Sequence, residues 1–203
     1  DEPRFYHTAA DSDWGGNHKD RKSTSGGVWM LGEHCIKTWS ASQGAIALSS
    51  AEAEFYGMIE GVTRAKGLLS LARELGFEDL STVVHLGTDS SAAKSFVSRR
   101  GLGRMRHLEI RDLWLQKEVR EGKVEVRKIP GEENPADLMT KVLTVGEIRD
   151  RLGGMHLYMR GERESNNVPK DTSIHVCAVY LCPDSPEAIT EELPTMPRRD
   201  QLV

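Results

Sequence analysis

The chain has 203 residues, a net charge of -4 and an isoelectric point near 6.0. That is enough for one domain with a real core plus a tail, and any affinity for polyanions must come from a local cluster, not the total charge. No apolar run approaches the ~20 residues needed to span a bilayer, so no membrane partner is expected. No signal peptide opens the chain, and Asp1-Glu2-Pro3 without an initiator Met leads us to expect a piece of something longer.

In chain order, a strand is expected near Phe5–Ala10, followed by a polar, Gly-containing loop through Asn17–Lys22. A hairpin pairs Gly27–Leu31 with Cys35–Ser40 across Gly32-Glu33. A long helix runs from about Ser50 to Leu75 and stops at Gly76. A Val-rich strand at Thr82–Thr88 ends at Asp89, and a short helix covers Ser91–Val97. The loop "SRRGLGRMRH" leads into a helix at about His107–Glu121, closed by Gly122. Lys123–Ile129 alternates as a strand, Pro130-Gly131 turns, and a last helix begins near Asn134-Pro135. The long-helix crossover from the hairpin to Thr82–Thr88 implies a mixed sheet covered on both faces.

Composition shifts near Gly153-Gly154. Residues 155–203 hold five of the eight prolines and one short apolar stretch, Ile174–Leu181. This divides the chain into a domain over 1–153 and a disordered or connecting tail over 154–203. The three cysteines, Cys35, Cys177 and Cys182, have no framework spacing and read as free thiols of a reducing compartment.

The stretch "IALSSAEAEFYGM" places Glu52 and Glu54 at the start of the long helix. Two residues apart on a helix, they point roughly 200° from each other and cannot serve one site. The apolar stripe Phe55, Met58, Ile59, Val62, Ala65, Leu69 and Ala72 puts Glu54 roughly 60° and Glu52 roughly 100° from its centre. Ser49-x-x-Glu52 reads as a capping box, with Glu52 closing the first turn. Glu54 leans inward and needs a partner, because an unpaired buried carboxylate is costly.

Other acids recur at element ends: Asp11 in "AADSDWGG", Asp89 in "HLGTDSSAA", Asp137 in "NPADLMTK". Sites in open α/β sheets form outside the carboxyl ends of strands. If the strands ending in Asp11 and Asp89 are parallel neighbours, the two aspartates lie side by side and Glu54 completes a cluster. Such a cluster needs cations, and oxygen-only ligation points to Mg²⁺ or Mn²⁺. Each acid also has an ordinary reading: Asp89 caps the next helix, Asp137 favours a helix N-terminus, and Asp11 ends a strand.

Six motifs, "DSDWGG", "DRKSTSGGV", "ALSSAEAEF", "TDSSAAKS", "MRHLEIRDLWL" and "NPADLMTK", together resemble the ribonuclease H domain of copia-type LTR-retrotransposon Pol polyproteins over about residues 5–145. The resemblance implies a ribonuclease H-like α/β fold, a five-stranded mixed sheet of order 3-2-1-4-5 flanked by helices. It implies two-metal endonucleolytic hydrolysis of the RNA strand of RNA–DNA hybrids, with two Mg²⁺ ions or Mn²⁺ in their place. The acidic quartet falls on Asp11, Glu54, Asp89 and Asp137, as both metal-binding and catalytic residues. Asp13 is a rival to Asp11, since the two share a strand face; Asp11 is the one that aligns with the family. Partners implied are the hybrid and a reverse-transcriptase domain of the same polyprotein, in the cytoplasm within a virus-like particle or in the nucleus. No Tyr-x-Asp-Asp polymerase motif is present. The loop before the last aspartate, "PGEEN", lacks the histidine that many cellular ribonucleases H carry there, which points to a slower or Mn²⁺-favouring enzyme unless Glu132 or Glu133 substitutes.

Residues 99–128 hold ten Lys/Arg against five acids. Arg99, Arg100, Arg104 and Arg106 are the expected phosphate contacts, with Ser91 and Gln43 as polar substrate contacts. The remaining basic residues read as a solvated helix face, and Trp14, Trp29, Trp39 and Trp114 as core or sheet-face residues. Two other functions compete: a non-catalytic hybrid-binding module, disfavoured by the full quartet, and a related two-metal nuclease, disfavoured by the order of the acids.

Overall fold

The computed structural model describes residues 6–77, 81–103, 108 and 113–159. Five strands, β1 (Tyr6–Asp13), β2 (Thr24–Leu31), β3 (His34–Ser42), β4 (Val84–Thr88) and β5 (Val124–Lys128), form one sheet in the order β3-β2-β1-β4-β5. The first three strands are antiparallel neighbours, whereas β4 pairs parallel with both β1 and β5. With helices α1 (Ser50–Glu74), α2 (Ser91–Ser98), α3 (Trp114–Arg120) and α4 (Val145–Gly154), this is a mixed, helix-flanked α/β sheet with the strand order that the sequence resemblance implies.

The main core lies between the sheet and α1. Phe55, Met58 and Val62 of α1 are fully buried with Leu86, Phe96 and Leu115. Each such side chain contributes ~1.5–3 kcal/mol of burial free energy. Phe55 meets Phe96 edge to face at 4.7 Å, which locks α1 to α2. Gly57 and Gly61, one turn apart, face β1. A Cβ on Gly57 would stand 3.1 Å from the Asp11 carbonyl oxygen. The two glycines weaken the helix by up to ~1 kcal/mol each but let its first turns lie against the end of β1.

The strands run past several expected limits. Pairing with β2 carries β1 on to Asp13, so Asp11 lies within the strand and not after it. Glu52 departs further from expectation. Ser49 Oγ accepts from Glu52 N at 3.2 Å, as a cap should, but the Glu52 carboxylate accepts from Leu48 N at 2.9 Å instead of from Ser49. It is 1% exposed, more buried than Glu54, because the carboxylate turns back to the chain preceding the helix. On α1 alone Glu52 lies away from the apolar stripe, and it is the chain before the helix that covers it.

The expected last helix at Asn134-Pro135 is a 3-10 turn, Pro135–Met139, capped by Asn134 Oδ1 on Ala136 N. A separate helix, α4, follows with its own capping box at Thr144 and Glu147. Beyond it Met155 is buried against Val28 and Met30. Trp14 is 59% exposed, unlike Trp29 and Trp39, and its indole nitrogen donates to Ala47 O at 3.1 Å. Phe5, His107, Ile174–Leu181, Cys177 and Cys182 lie outside the described residues. No described helix is long and apolar enough to cross a membrane.

Candidate active site

The parallel ladder between β1 and β4 runs His7–His85, Thr8–Leu86 and Ala9–Gly87. Continued by two residues, the same register sets Asp11 opposite Asp89. Pairing stops before that point, so both carboxylates stand where the strands begin to separate. Ser90, not Asp89, caps α2: its hydroxyl accepts from Ala93 N at 3.2 Å. That leaves the Asp89 carboxylate for the cluster. Glu54 arrives from near the start of α1, at the height fixed by Gly57.

One carboxylate oxygen from each of Asp11, Glu54 and Asp89 lies within 4.8 Å of the others. Asp11 and Glu54 are buried. Glu54 Oε1 accepts weakly from Ser12 N at 3.4 Å, while its buried Oε2 has no hydrogen-bond partner. Burial, then repulsion from Asp11 and Asp89, pushes the Glu54 carboxyl up to about 8. Burial likewise raises Asp11, with Asp137 and Asp89 adding repulsion against the pull of Thr140 and Lys141. Three acids held this close, with one buried Glu54 oxygen left without a hydrogen-bond partner, fit a hard divalent cation with oxygen ligands.

Asp13 resolves differently from Asp11. Its Oδ1 accepts from Thr24 N and so fixes the start of β2. The same loop is tied by Ser23 Oγ, which accepts from Gly15 N at 3.0 Å.

Asp137 stands beside the triad and is engaged by cations of the chain itself. Lys141 Nζ is 2.6 Å from its Oδ1, and Arg151 donates to its Oδ2 at 3.0 Å. Lys141 also reaches Asp11 Oδ1 at 3.3 Å, and Thr140 Oγ1 donates to Asp11 Oδ2. Gly26 makes this approach feasible: a Cβ there would strike Met139 and Thr140. Burial works against the Lys141 charge, but the Asp137 hydrogen bond and the pull of Asp11, Asp137 and Asp89 outweigh it and hold its ammonium above the ordinary range.

Thr140, Lys141 and Arg151 were not singled out in the sequence as site residues. Thr140 and Lys141 sit in plain view in "NPADLMTK", where the spacing of Asp137 and Lys141 is that of a helical i,i+4 pair. Arg151 was recoverable only through α4, whose start is marked by Thr144-x-x-Glu147.

Among expected substrate contacts, Ser91 is exposed at the first turn of α2, two residues from Asp89. Arg99 and Arg100 are exposed in the loop after α2, and the Arg99 guanidinium rests 4.6 Å from the Phe96 ring centre. Arg104 and Arg106 lie outside the described residues. Gln43 is corrected from substrate contact to brace: it is buried, and its amide nitrogen donates to Ser25 Oγ and Ala53 O at 2.9 and 2.8 Å. A second glutamine, Gln116, holds the basic loop. It donates to Phe96 O and Gly101 O and accepts from Gly101 N, all at 2.9–3.1 Å. Lys117, Lys123 and Arg127 form ion pairs with Glu121, Glu118 and Glu125, as a solvated face does. Glu132 and Glu133 are exposed on a 3-10 turn whose Gly131 lies against Asp89.

No family model matches the chain. The retrovirus-related Pol polyprotein from transposon TNT 1-94 of Nicotiana tabacum is 32% identical over 148 residues, 72% of this chain and 11% of the polyprotein. That from transposon RE1 of Arabidopsis thaliana is 28% identical over 138 residues, 68% of this chain and 9% of the polyprotein. Among solved structures, LC11-RNase H1, isolated from compost, aligns with a TM-score of 0.46 at 18% identity, covering 67% of this chain and 92% of that one. The chain thus spans about a tenth of the length of the curated relatives it matches. Over about 70% of its own length it is similar to one segment of the retrovirus-related Pol polyproteins of plant transposons.

Proposed function

We propose that this segment is a metal-dependent ribonuclease H that cuts the RNA strand of RNA–DNA hybrids during reverse transcription of a retroelement. The observation that carries the reading is the convergence of Asp11, Glu54 and Asp89 at the open end of a parallel strand pair. Kinship with Pol polyproteins supplies the context. Asp11, Glu54 and Asp89 would hold one divalent cation, and Asp11 with Asp137 a second. Two such ions, Mg²⁺ or Mn²⁺, neutralise charge at the attacking and leaving oxygens of a phosphodiester.

The chain's own residues do the rest. Gly57 and the β1–β4 register fix where the carboxylates stand, and Arg151 holds Asp137 from behind. Arg99 and Arg100 offer charge to the phosphates of the bound hybrid, while the exposed Ser91, two residues after Asp89, would touch the substrate near the cut. The expected partner is a reverse-transcriptase domain of the same polyprotein, and the expected compartment a cytoplasmic virus-like particle or the nucleus.

The test is cleavage of a hybrid labelled on each strand, in Mg²⁺ and in Mn²⁺, beside Asp89→Asn. Metal-dependent cutting of the RNA strand alone, abolished by the substitution, is the expected result. Tight hybrid binding without cutting in either metal would make the chain a binding module instead. A Glu133→His variant tests the missing loop histidine: unchanged turnover would remove the explanation for a slow enzyme.

A further inference from the structure

The two carboxylate pairs around Asp11 are not equivalent. On one side, Glu54 Oε2 is buried with no hydrogen-bond partner, among three acids whose oxygens lie within 4.8 Å. On the other side, every oxygen of Asp11 and Asp137 is engaged by the chain. Thr140 holds Asp11 Oδ2, Arg151 holds Asp137 Oδ2, and the Lys141 ammonium bridges the remaining Oδ1 atoms at 3.3 and 2.6 Å. A cation between these two aspartates therefore competes with a positive charge already placed there. A divalent ion and an ammonium on one carboxylate pair repel each other, and the partly dry surroundings screen that repulsion poorly.

We propose that Lys141 is a built-in counter-cation that orders the filling of the two metal positions. The Asp11/Glu54/Asp89 position fills first with Lys141 in place, and the Asp11/Asp137 position fills only when the Lys141 ammonium swings away from Asp11. The side chain has room to do so, since it is 40% exposed while its two aspartate partners are nearly covered. Arg151 cannot substitute, because it is buried and also donates to Gly131 O at 3.2 Å. The inference rests on the two-metal reading above, and its test is chosen to separate the two.

The experiment is a Mn²⁺ titration of the nucleic-acid-free chain, followed by electron paramagnetic resonance and calorimetry, for the wild type, Lys141→Met, Lys141→Arg and Asp89→Asn. Expected are one tight ion and a second at least tenfold weaker in the wild type. Lys141→Met should tighten the second ion about tenfold or more, Lys141→Arg should keep it weak, and Asp89→Asn should abolish the tight one. An unchanged two-ion isotherm in Lys141→Met overturns the role of Lys141 while leaving the metal reading standing. No Mn²⁺ bound by the wild type overturns both. Should Lys141→Met not fold, amine acylation of wild-type Lys141, read by mass spectrometry across a Mg²⁺ series, decides. Labelling should stay low while the first ion binds and rise several-fold as the second does. Labelling that stays flat or falls throughout overturns the proposal.

Discussion

Replacing Glu54 with Gln should stabilise the metal-free protein, and only above a definite pH. The glutamine keeps the shape and removes the charge. In the folded chain the Glu54 carboxyl titrates at about 8, against an ordinary value of 4.5. Between those values the folded protein holds a proton that the unfolded chain has released, so stability falls as pH rises from 4.5 through 8 and stays low above. At ~1.4 kcal/mol per tenfold displacement the full penalty is on the order of 5 kcal/mol. Water entering an opened site relieves part of it, leaving about 2–3 kcal/mol between pH 5 and pH 9. The assay is urea unfolding in EDTA at a series of pH values. Wild type and Glu54→Gln should agree near pH 5 and separate by that amount near pH 9. Saturating Mn²⁺ should then stabilise the wild type far more than the variant, closing the gap. Parallel stability curves from pH 5 to 9 would refute the claim that burial and neighbouring carboxylates strain Glu54.

Arg151→Met should cost about 2–3 kcal/mol by urea unfolding, below the ~3–5 kcal/mol of a fully orphaned buried charge because Lys141 remains on Asp137. Gly57→Ala should leave stability within ~1 kcal/mol, since helix propensity offsets the tight contact at the Asp11 carbonyl. Yet it should weaken Mn²⁺ binding roughly 3–10-fold by displacing Glu54, as isothermal titration would record. Gln116→Ala should speed hydrogen exchange at Gly101 and lower hybrid affinity at low salt about threefold by freeing the loop that carries Arg99 and Arg100.

The convergence of Asp11, Glu54 and Asp89 was only partly open to short-range rules. Asp89 follows an apolar strand run and Glu54 sits on the inward side of a helix with a clear stripe, but each acid also had an ordinary reading, and only the resemblance separated Asp11 from Asp13. What failed was decided by chain segments far away. Trp14 looked like a core residue by type, but the strand that carries it ends at Asp13 and the ring hangs outside. Gln43 looked like a free polar group, but α1 returns to take its amide. Arg151 belongs to a helix that a compositional boundary at Gly153-Gly154 obscured, although its capping box follows the same pattern as the one read at Ser49. Lys141 lies in the same motif as Asp137, but only the fold shows that Asp11 comes to meet it.

The bond between Lys141 and Asp11 joins residues 130 positions apart. A ribosome adding about 5–20 residues per second releases positions 11, 54 and 89 seconds before position 141. A nascent chain thus holds its three acids before the lysine and threonine that answer them. Up to that moment nothing on the chain bridges Asp11 to Asp137, and β1 lacks the clasp that ties its end to the turn after β5. The clasp is made late, and Arg151, further along the chain, reaches Asp137 only after it.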